Sequence, residues 1–231
     1  MTKKLWQASL KLKTNSNLYE FEKFLANKFN YSPEKNYKKL LNWTIKNPKW
    51  FWSSMWEYSD IKGIKNNKFY FPKDIKKSKF LVKSKLNYAE NLLSKYDNSK
   101  AITFISENGY REEKSWKELN NNTLKVIEFL KEIKIKEKDR VAAYTVNQIQ
   151  TVESFLATSA CGAIWSSCSP DFGTKGVVER FSQIRPKLLI ITDRYYYNGK
   201  EINVLERLPS ILKKIKSIKN VLIINYPGKK T

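Results

Sequence analysis

The chain has no histidine, and its two cysteines, Cys161 and Cys168, stand seven residues apart. A Ser-His-Asp or Cys-His catalytic set needs an imidazole to carry the proton, so neither can be assembled within this chain. Zinc sites favour Cys and His at short paired spacings, and this pair has no such spacing, so no zinc site is expected. Phosphate chemistry would need successive backbone N–H groups from a Gly-rich loop, helped by hydroxyls and a lysine. Two Gly-Lys pairs come nearest. Gly199-Lys200 is followed by Glu201, and Gly228-Lys229-Lys230-Thr231 lacks the upstream glycine of a Walker loop. A third candidate is the ring cluster Trp50, Phe51, Trp52, Trp56 and Tyr58. Amid basic charge such rings can stack on nucleic-acid bases. Their helical spacing instead favours packing of N-terminal helices onto the main domain.

The charge balance is strongly basic: Lys+Arg 44 against Asp+Glu 22, a formal net charge of +22. A polyanionic partner is one reading. The lysines are scattered through every segment, however, and Asn, Ile, Tyr and Phe are abundant too, so compositional drift is the favoured one. With 41% hydrophobic and 14% aromatic residues in 231, the chain suits one large folded domain, or a domain with an appendage. It has no export signal and no apolar run of membrane-spanning length, so a cytoplasmic protein without structural disulfides is expected.

The elements that would position any site follow from periodicity and punctuation. Helices are expected over Asn17–Phe29, from Ser32-Pro33-Glu34 with Ser32 as cap, and from Pro48 through Tyr58. Residues 59 to 85 read as an extended wrap, and Asn87 to Tyr96 as a short helix. Ala101–Ser106 and Tyr110–Lys114 form a hairpin about Glu107-Asn108-Gly109. Ser115 and Glu118 make a capping box for the next helix. Val141–Thr145 is a strand, and Asn147 caps the helix after it. Cys161-Gly162 closes that helix, and Ala163–Ser167 is a short buried strand. Ser169-Pro170-Asp171-Phe172-Gly173 is turn chemistry, and Thr174 caps a helix that Pro186 ends. The apolar run Leu188–Thr192 is a strand covered on both faces. Glu201–Lys216 is expected as a helix that Pro209 kinks or splits, before the last strand within Asn220–Asn225. The succession of helix and strand indicates a layered, mostly parallel α/β domain over residues 99–231, preceded by a helical N-terminal region over residues 1–98.

Several phrases carry a resemblance: Leu86-Asn87-Tyr88-Ala89-Glu90-Asn91-Leu92-Leu93, Gly162-Ala163-Ile164-Trp165-Ser166-Ser167, Ser169-Pro170-Asp171-Phe172-Gly173 and Tyr197-Asn198-Gly199-Lys200-Glu201. Arg180-Phe181-Ser182-Gln183-Ile184 and Pro186-Lys187-Leu188 fit as well. In this order they resemble the acyl-CoA synthetases of the adenylate-forming superfamily, the acetoacetate–CoA ligases above all. The resemblance covers nearly the whole chain and implies the N-terminal portion of such an enzyme, with an incomplete AMP-binding domain. It implies small-molecule substrates (acetoacetate, ATP and CoA) with Mg2+, and neither nucleic acid nor membrane as partner. The reaction implied is formation of an acyl-adenylate with release of pyrophosphate, then displacement of AMP by CoA.

The family's Ser/Thr/Gly-rich loop ending in Lys has no counterpart here, and its magnesium-binding Glu, ribose-binding Asp and catalytic Lys fall beyond this sequence. The chain alone is therefore not expected to activate an acid. What the resemblance places here is part of the CoA site. Lys200 falls where relatives hold a basic residue against the nucleotide end of CoA, beside Gly199. Tyr197 replaces a second basic residue, with stacking on adenine as its alternative role. Ser169 and Asp171 fall on the loop that approaches the CoA adenosine, although Pro170 and Asp171 replace glycine there. An acetyl- or propionyl-CoA synthetase-like ligase is the nearest alternative, and a non-enzymatic basic protein binding nucleic acid or CoA is the alternative from another class.

Overall fold

Local capping chemistry starts most of the helices. In the computed structural model, which describes residues 5–33 and 36–228, Ser9 caps α1 (Leu10–Thr14) and Ser16 caps α2 (Asn17–Lys28). Asn36 caps α3 (Tyr37–Lys46), and Pro48 opens α4 (Pro48–Tyr58), where a missing N–H costs nothing. Ser32 is therefore not the cap expected for α3, which starts later; Glu34 of that motif lies outside the described residues, as do Lys229-Lys230-Thr231. The chain folds as two compact units, Met1–Leu86 and Asn87–Thr231. The boundary expected after residue 98 thus falls earlier, because the helix α5 (Tyr88–Leu92) packs on a later helix of the second unit.

The first unit is held by rings. Phe21 and Leu25 of α2 and Leu40 of α3 are buried, with Phe51, Met55 and Tyr58 of α4 closing over them. Phe21 and Tyr58 meet edge to face at 5.1 Å. Trp52 packs on Phe80 of the following segment at 5.1 Å. That segment is extended, with isolated bridges between Ile64 and Lys85 and between Tyr70 and Lys79.

In the second unit β1 (Lys100–Ile105) and β2 (Arg111–Ser115) form an antiparallel hairpin. Gly109 takes the left-handed turn position at φ 81°, while Asn108 Oδ1 accepts the Tyr110 N–H. Ser115 then caps α6 (Trp116–Glu132) in a complete capping box: its hydroxyl accepts the Glu118 N–H, and the Glu118 carboxylate accepts the Ser115 N–H at 2.8 Å. Ser115→Ala is expected to cost about 1 kcal/mol in urea unfolding, the usual worth of such a cap; an unchanged midpoint would count against the box.

The core sheet follows: β3 (Arg140–Tyr144), α7 (Ile149–Ala160), β4 (Ile164–Cys168), α8 (Thr174–Ile184) and β5 (Leu188–Thr192). After β5 come β6 (Arg194–Tyr197) and β7 (Lys200–Asn203), a 3-10 turn over Leu205–Arg207, α9 (Leu208–Lys214) and β8 (Asn220–Ile224). The four parallel strands lie in the order β4-β3-β5-β8. Alternation along β3 and β5 serves both faces. Val141, Ala143, Leu188 and Ile190 meet Leu130 of α6 and Ala157 of α7, whereas Ala142, Tyr144, Leu189 and Ile191 meet Val177 and Phe181 of α8 and Ile211 of α9. Every residue of β5 is buried, which is why Leu188–Ile191 are apolar without a break; the buried Thr192 at its end donates its hydroxyl to the Arg194 carbonyl at 3.0 Å. This is the layered α/β architecture expected of an acyl-CoA synthetase.

Three local expectations differ. Gly173 and Gln148, not Thr174 and Asn147, occupy the N-cap positions of α8 and α7, and neither makes a side-chain cap. The helix expected over Glu201–Lys216 is instead strand, 3-10 turn and helix. Asn198 (φ 52°) and Gly199 (φ 72°) are both left-handed, the paired conformation that returns a strand on its neighbour. Tyr197 therefore pairs with Lys200 and Arg194 with Asn203 in an antiparallel hairpin. Pro209 falls in the first turn of α9 and kinks nothing.

Candidate functional site

Strand order places the site. The connection from β3 goes to β4 on one side, and the connection from β5 goes to β8 on the other, so the sheet changes direction between β3 and β5. Ligands of open α/β sheets bind in the crevice outside the carboxyl ends of strands at such a point. A cleft of about 390 Å³ lies there. Thr145, Asn147 and Thr151 line it after β3, Ser169 and Asp171 after β4, and Tyr195, Tyr196 and Tyr197 after β5. Of the residues singled out in the sequence, it brings together Ser169, Asp171 and Tyr197. Gly199 and Lys200 do not line it; they sit at the end of the β6–β7 hairpin, exposed.

The Ser169–Gly173 turn is held from inside and from below. Ser169 Oγ donates to Asp171 Oδ2 at 2.7 Å and accepts the Asp171 N–H at 3.2 Å. The buried Tyr144 hydroxyl donates to the Phe172 carbonyl at 2.5 Å, with the Pro170 carbonyl 3.1 Å away. It accepts from Arg207, whose Nη1 also donates to the Pro170 carbonyl at 2.5 Å. Burial pushes the Tyr144 hydroxyl above its ordinary pKa, and the guanidinium beside it opposes that rise. The guanidinium of Arg180 lies over the Phe172 ring, 4.3 Å from its centroid. Neither Tyr144 nor Arg207 stands out in the sequence. They lie 63 residues apart, and only the fold brings them to one turn.

The cleft is built to keep its acids in known states. Burial, with the hydrogen bond to Asp171 second, raises the Tyr195 hydroxyl to about 12. Burial raises the Cys168 thiol to about 11, so it stays a thiol and a poor nucleophile at neutral pH. Both cysteines are free. On the β3 side, Thr145 and Thr151 hydroxyls meet at 2.8 Å, and Thr151 donates to the Val146 carbonyl at 2.8 Å.

The hairpin that carries Tyr197 and Lys200 is anchored by a charged pair that does not stand out in the sequence either. Asp193 and Arg194 follow β5 directly and are both buried. Arg194 Nη1 meets Asp193 Oδ2 at 2.5 Å, and Arg194 Nε lies 3.4 Å from Glu201 of β7. Asp193 Oδ1 also accepts the Tyr226 N–H at 2.6 Å, tying the hairpin to the end of β8. A charged pair placed directly at the end of a buried, largely apolar strand was the available signal. At the tip, the Gly199 N–H donates to Glu107 at 2.7 Å, joining this hairpin to the β1–β2 turn.

Such an arrangement suits binding of an extended ligand across a strand-end crevice, with polar hydroxyls within and tyrosine rings along one wall. The fold is that of an open α/β domain with a crevice at its strand ends, and residues 90–230 match the family of AMP-binding enzymes. The chain belongs to that family. It is similar to the acetoacetyl-CoA synthetase of Gallus gallus, 38% identical over 198 residues that make up 83% of this chain and 29% of that protein. It is similar also to the acetoacetyl-coenzyme A synthetase of Rhizobium meliloti (strain 1021), 34% identical over 225 residues, 97% of this chain and 34% of that one. Among solved structures, the acetoacetyl-CoA synthetase from Streptomyces lividans superimposes with a TM-score of 0.90 at 26% identity, covering all of this chain and 36% of that one. The chain thus spans about a third of the length of the relatives it matches. No helix among the described residues is long and apolar enough to cross a membrane.

Proposed function

We propose that this chain is the CoA-facing N-terminal part of an acetoacetate–CoA ligase, which joins acetoacetate to CoA through an acyl-adenylate, with ATP consumed and Mg2+ used in the adenylation half. The observation that carries the reading is the strand-end crevice, where Tyr197, Ser169 and Asp171 converge beside a hairpin presenting Lys200. The similarity to acetoacetyl-CoA synthetases supports the choice of acid. Lys200 would meet the 3′-phosphate of CoA, where a compact ammonium on a flexible stem suits a point charge. Tyr197, 62% exposed, offers a ring face to the adenine. Ser169 and Asp171 shape the turn beneath the adenosine. The Asp171 carboxylate is already met by the Ser169 and Tyr195 hydroxyls, which lessens its repulsion of a phosphate nearby. The described residues hold no cluster of three or more His, Cys, Asp or Glu side chains that could hold a metal ion, so no magnesium ligand is assigned here and no step is routed through the ion.

The test is calorimetric. Lys200→Ala is expected to weaken CoA binding by about tenfold, the scale of one charge-assisted contact, and to leave 3′-dephospho-CoA unaffected. Equal affinity of variant and parent for CoA would remove the site. In a chain of the relatives' full length, the reading also requires pyrophosphate release that depends on acetoacetate.

A further inference from the structure

The opposite end of the same sheet carries a second, larger cleft of about 630 Å³, and its chemistry is different. Three adjacent strands enter the sheet on a cation: Arg140 at the start of β3, Lys187 just before β5 and Lys219 just before β8. Their backbones are joined in a row, the Lys187 N–H donating to the Arg140 carbonyl at 2.9 Å and the Lys219 N–H to the Lys187 carbonyl at 2.8 Å. Arg185, at the end of α8, and Lys214 and Lys216, at the end of α9, complete the wall. Six of the nine lining residues are thus Lys or Arg, against 44 of 231 in the whole chain. No Lys or Arg lines the cleft at the carboxyl ends of the strands. Drift in composition does not produce that contrast.

Part of this charge has structural employment. Arg140 Nε donates to the Ile184 carbonyl at 2.8 Å, capping the end of α8, and Lys187 meets Asp139 at 2.7 Å. Cations also complement the negative ends of helix dipoles, which explains one for each of α8 and α9. Beyond that partial complement, Arg185, Lys214, Lys216 and Lys219 form no ion pair among the described residues, and no carboxylate lines the cleft. Ser217 adds a hydroxyl oxygen that is buried and has no hydrogen-bond partner among the described residues. Four cations without an ion-pair partner on one concave wall, more than the two helix ends call for, focus a positive potential, and such a wall is stabilised by an anion that several of them share.

We propose that this cleft binds an oligophosphate group. Its volume is that of a single small ligand, within the range of about 300–1,000 Å³ usual for such sites. It has no aromatic lining for bases to stack on, so the recognised chemistry is a run of linked phosphates. The group is read either free or as the tail of a nucleotide. The site is separate from the CoA cleft and independent of the function proposed for it.

Inorganic tripolyphosphate titrated into the full chain is the probe, followed by calorimetry. Saturable one-to-one binding is expected, weakened at least tenfold in Lys214→Gln/Lys216→Gln/Lys219→Gln. It should be unchanged in Lys117→Gln/Lys125→Gln/Lys131→Gln, which removes the same charge from the exposed face of α6. All six lysines are exposed, so both variants keep the fold, checked by circular dichroism. Equal losses in the two triple variants would show that binding follows net charge, and the proposal would fall; so would an absence of saturable binding. A nucleoside triphosphate run alongside separates the sources. Parity with tripolyphosphate means the phosphates alone are read, tighter binding means a nucleotide tail, and either supports the site only if the cleft variant abolishes it.

Discussion

Arg194→Ala is expected to destabilise the Asn87–Thr231 unit by about 3–5 kcal/mol, the cost of leaving one member of a buried ion pair without its partner. The guanidinium is 7% exposed and the Asp193 carboxylate 12%. In the variant, Asp193 keeps the Tyr226 N–H but loses its counter-ion, while the carbonyls of Tyr226 and Gly228, each 3.3 Å from Arg194 Nη2, lose a donor. Urea unfolding followed by circular dichroism measures the loss, and a change under about 1 kcal/mol would refute the argument. The cause is separable from lost packing. Adding Asp193→Asn to the same variant removes the stranded charge and keeps an oxygen for the Tyr226 N–H, so the double variant should regain part of the loss. Because this pair and the Glu107 contact tether the hairpin, the variant should also weaken any ligand that depends on Tyr197 and Lys200.

How much of this was readable from residue order depends on the range of the forces involved. The strand Leu188–Thr192 is legible because cover on both faces favours the apolar run Leu188–Ile191, with a polar residue only at its end, where the Thr192 hydroxyl finds a backbone carbonyl. The Ser115–Glu118 box and the Gly162 helix end are legible because their partners lie within four residues. The strand β7 is hidden because Val204, Leu205, Leu208, Ile211, Leu212 and Ile215 satisfy helical spacing and carry the expected helix back to Glu201. Asn198-Gly199, two left-handed residues in succession, was the local signal that should have outweighed it. The pins on the Ser169–Gly173 turn could not be read. Arg207 looks like a solvated charge until α9 and the 3-10 turn bring it under Tyr144. The same holds for the cationic cleft: Arg140, Lys187 and Lys219 are scattered in sequence and become a row only through the pairing of β3, β5 and β8.

Raising the pH from about 9 to 12 is expected to remove about 5 kcal/mol of stability, chiefly through Tyr195 and Cys168. Both are buried side chains at the carboxyl edge of the sheet, and for both the folded state favours the neutral, protonated form. Tyr195 titrates near 10.0 when unfolded and near 12 when folded; Cys168 moves from 9.0 to about 11. The stabilisation is therefore fully present below the unfolded values. It is lost as pH climbs from about 9 to 11 for the thiol and from about 10 to 12 for the phenol. Each such shift is worth about 3 kcal/mol. Tyr144, Tyr110 and Tyr226 are raised as well and act in the same direction. Neutralisation of lysines over the same range works the other way, because a chain of net charge +22 repels itself. The comparison with Tyr195→Phe/Cys168→Ala cancels that contribution. This variant should start less stable at about pH 8, with a cavity and a lost hydrogen bond to Asp171, but its stability should fall far less between about pH 9 and 12. Parallel curves for parent and variant would mean that these two groups do not set the alkaline limit. Tyrosinate absorbance gives a second readout: one late-titrating phenol, present in the parent and missing in Tyr195→Phe, is the signature expected of a ring held against the Asp171 carboxylate in the candidate CoA cleft.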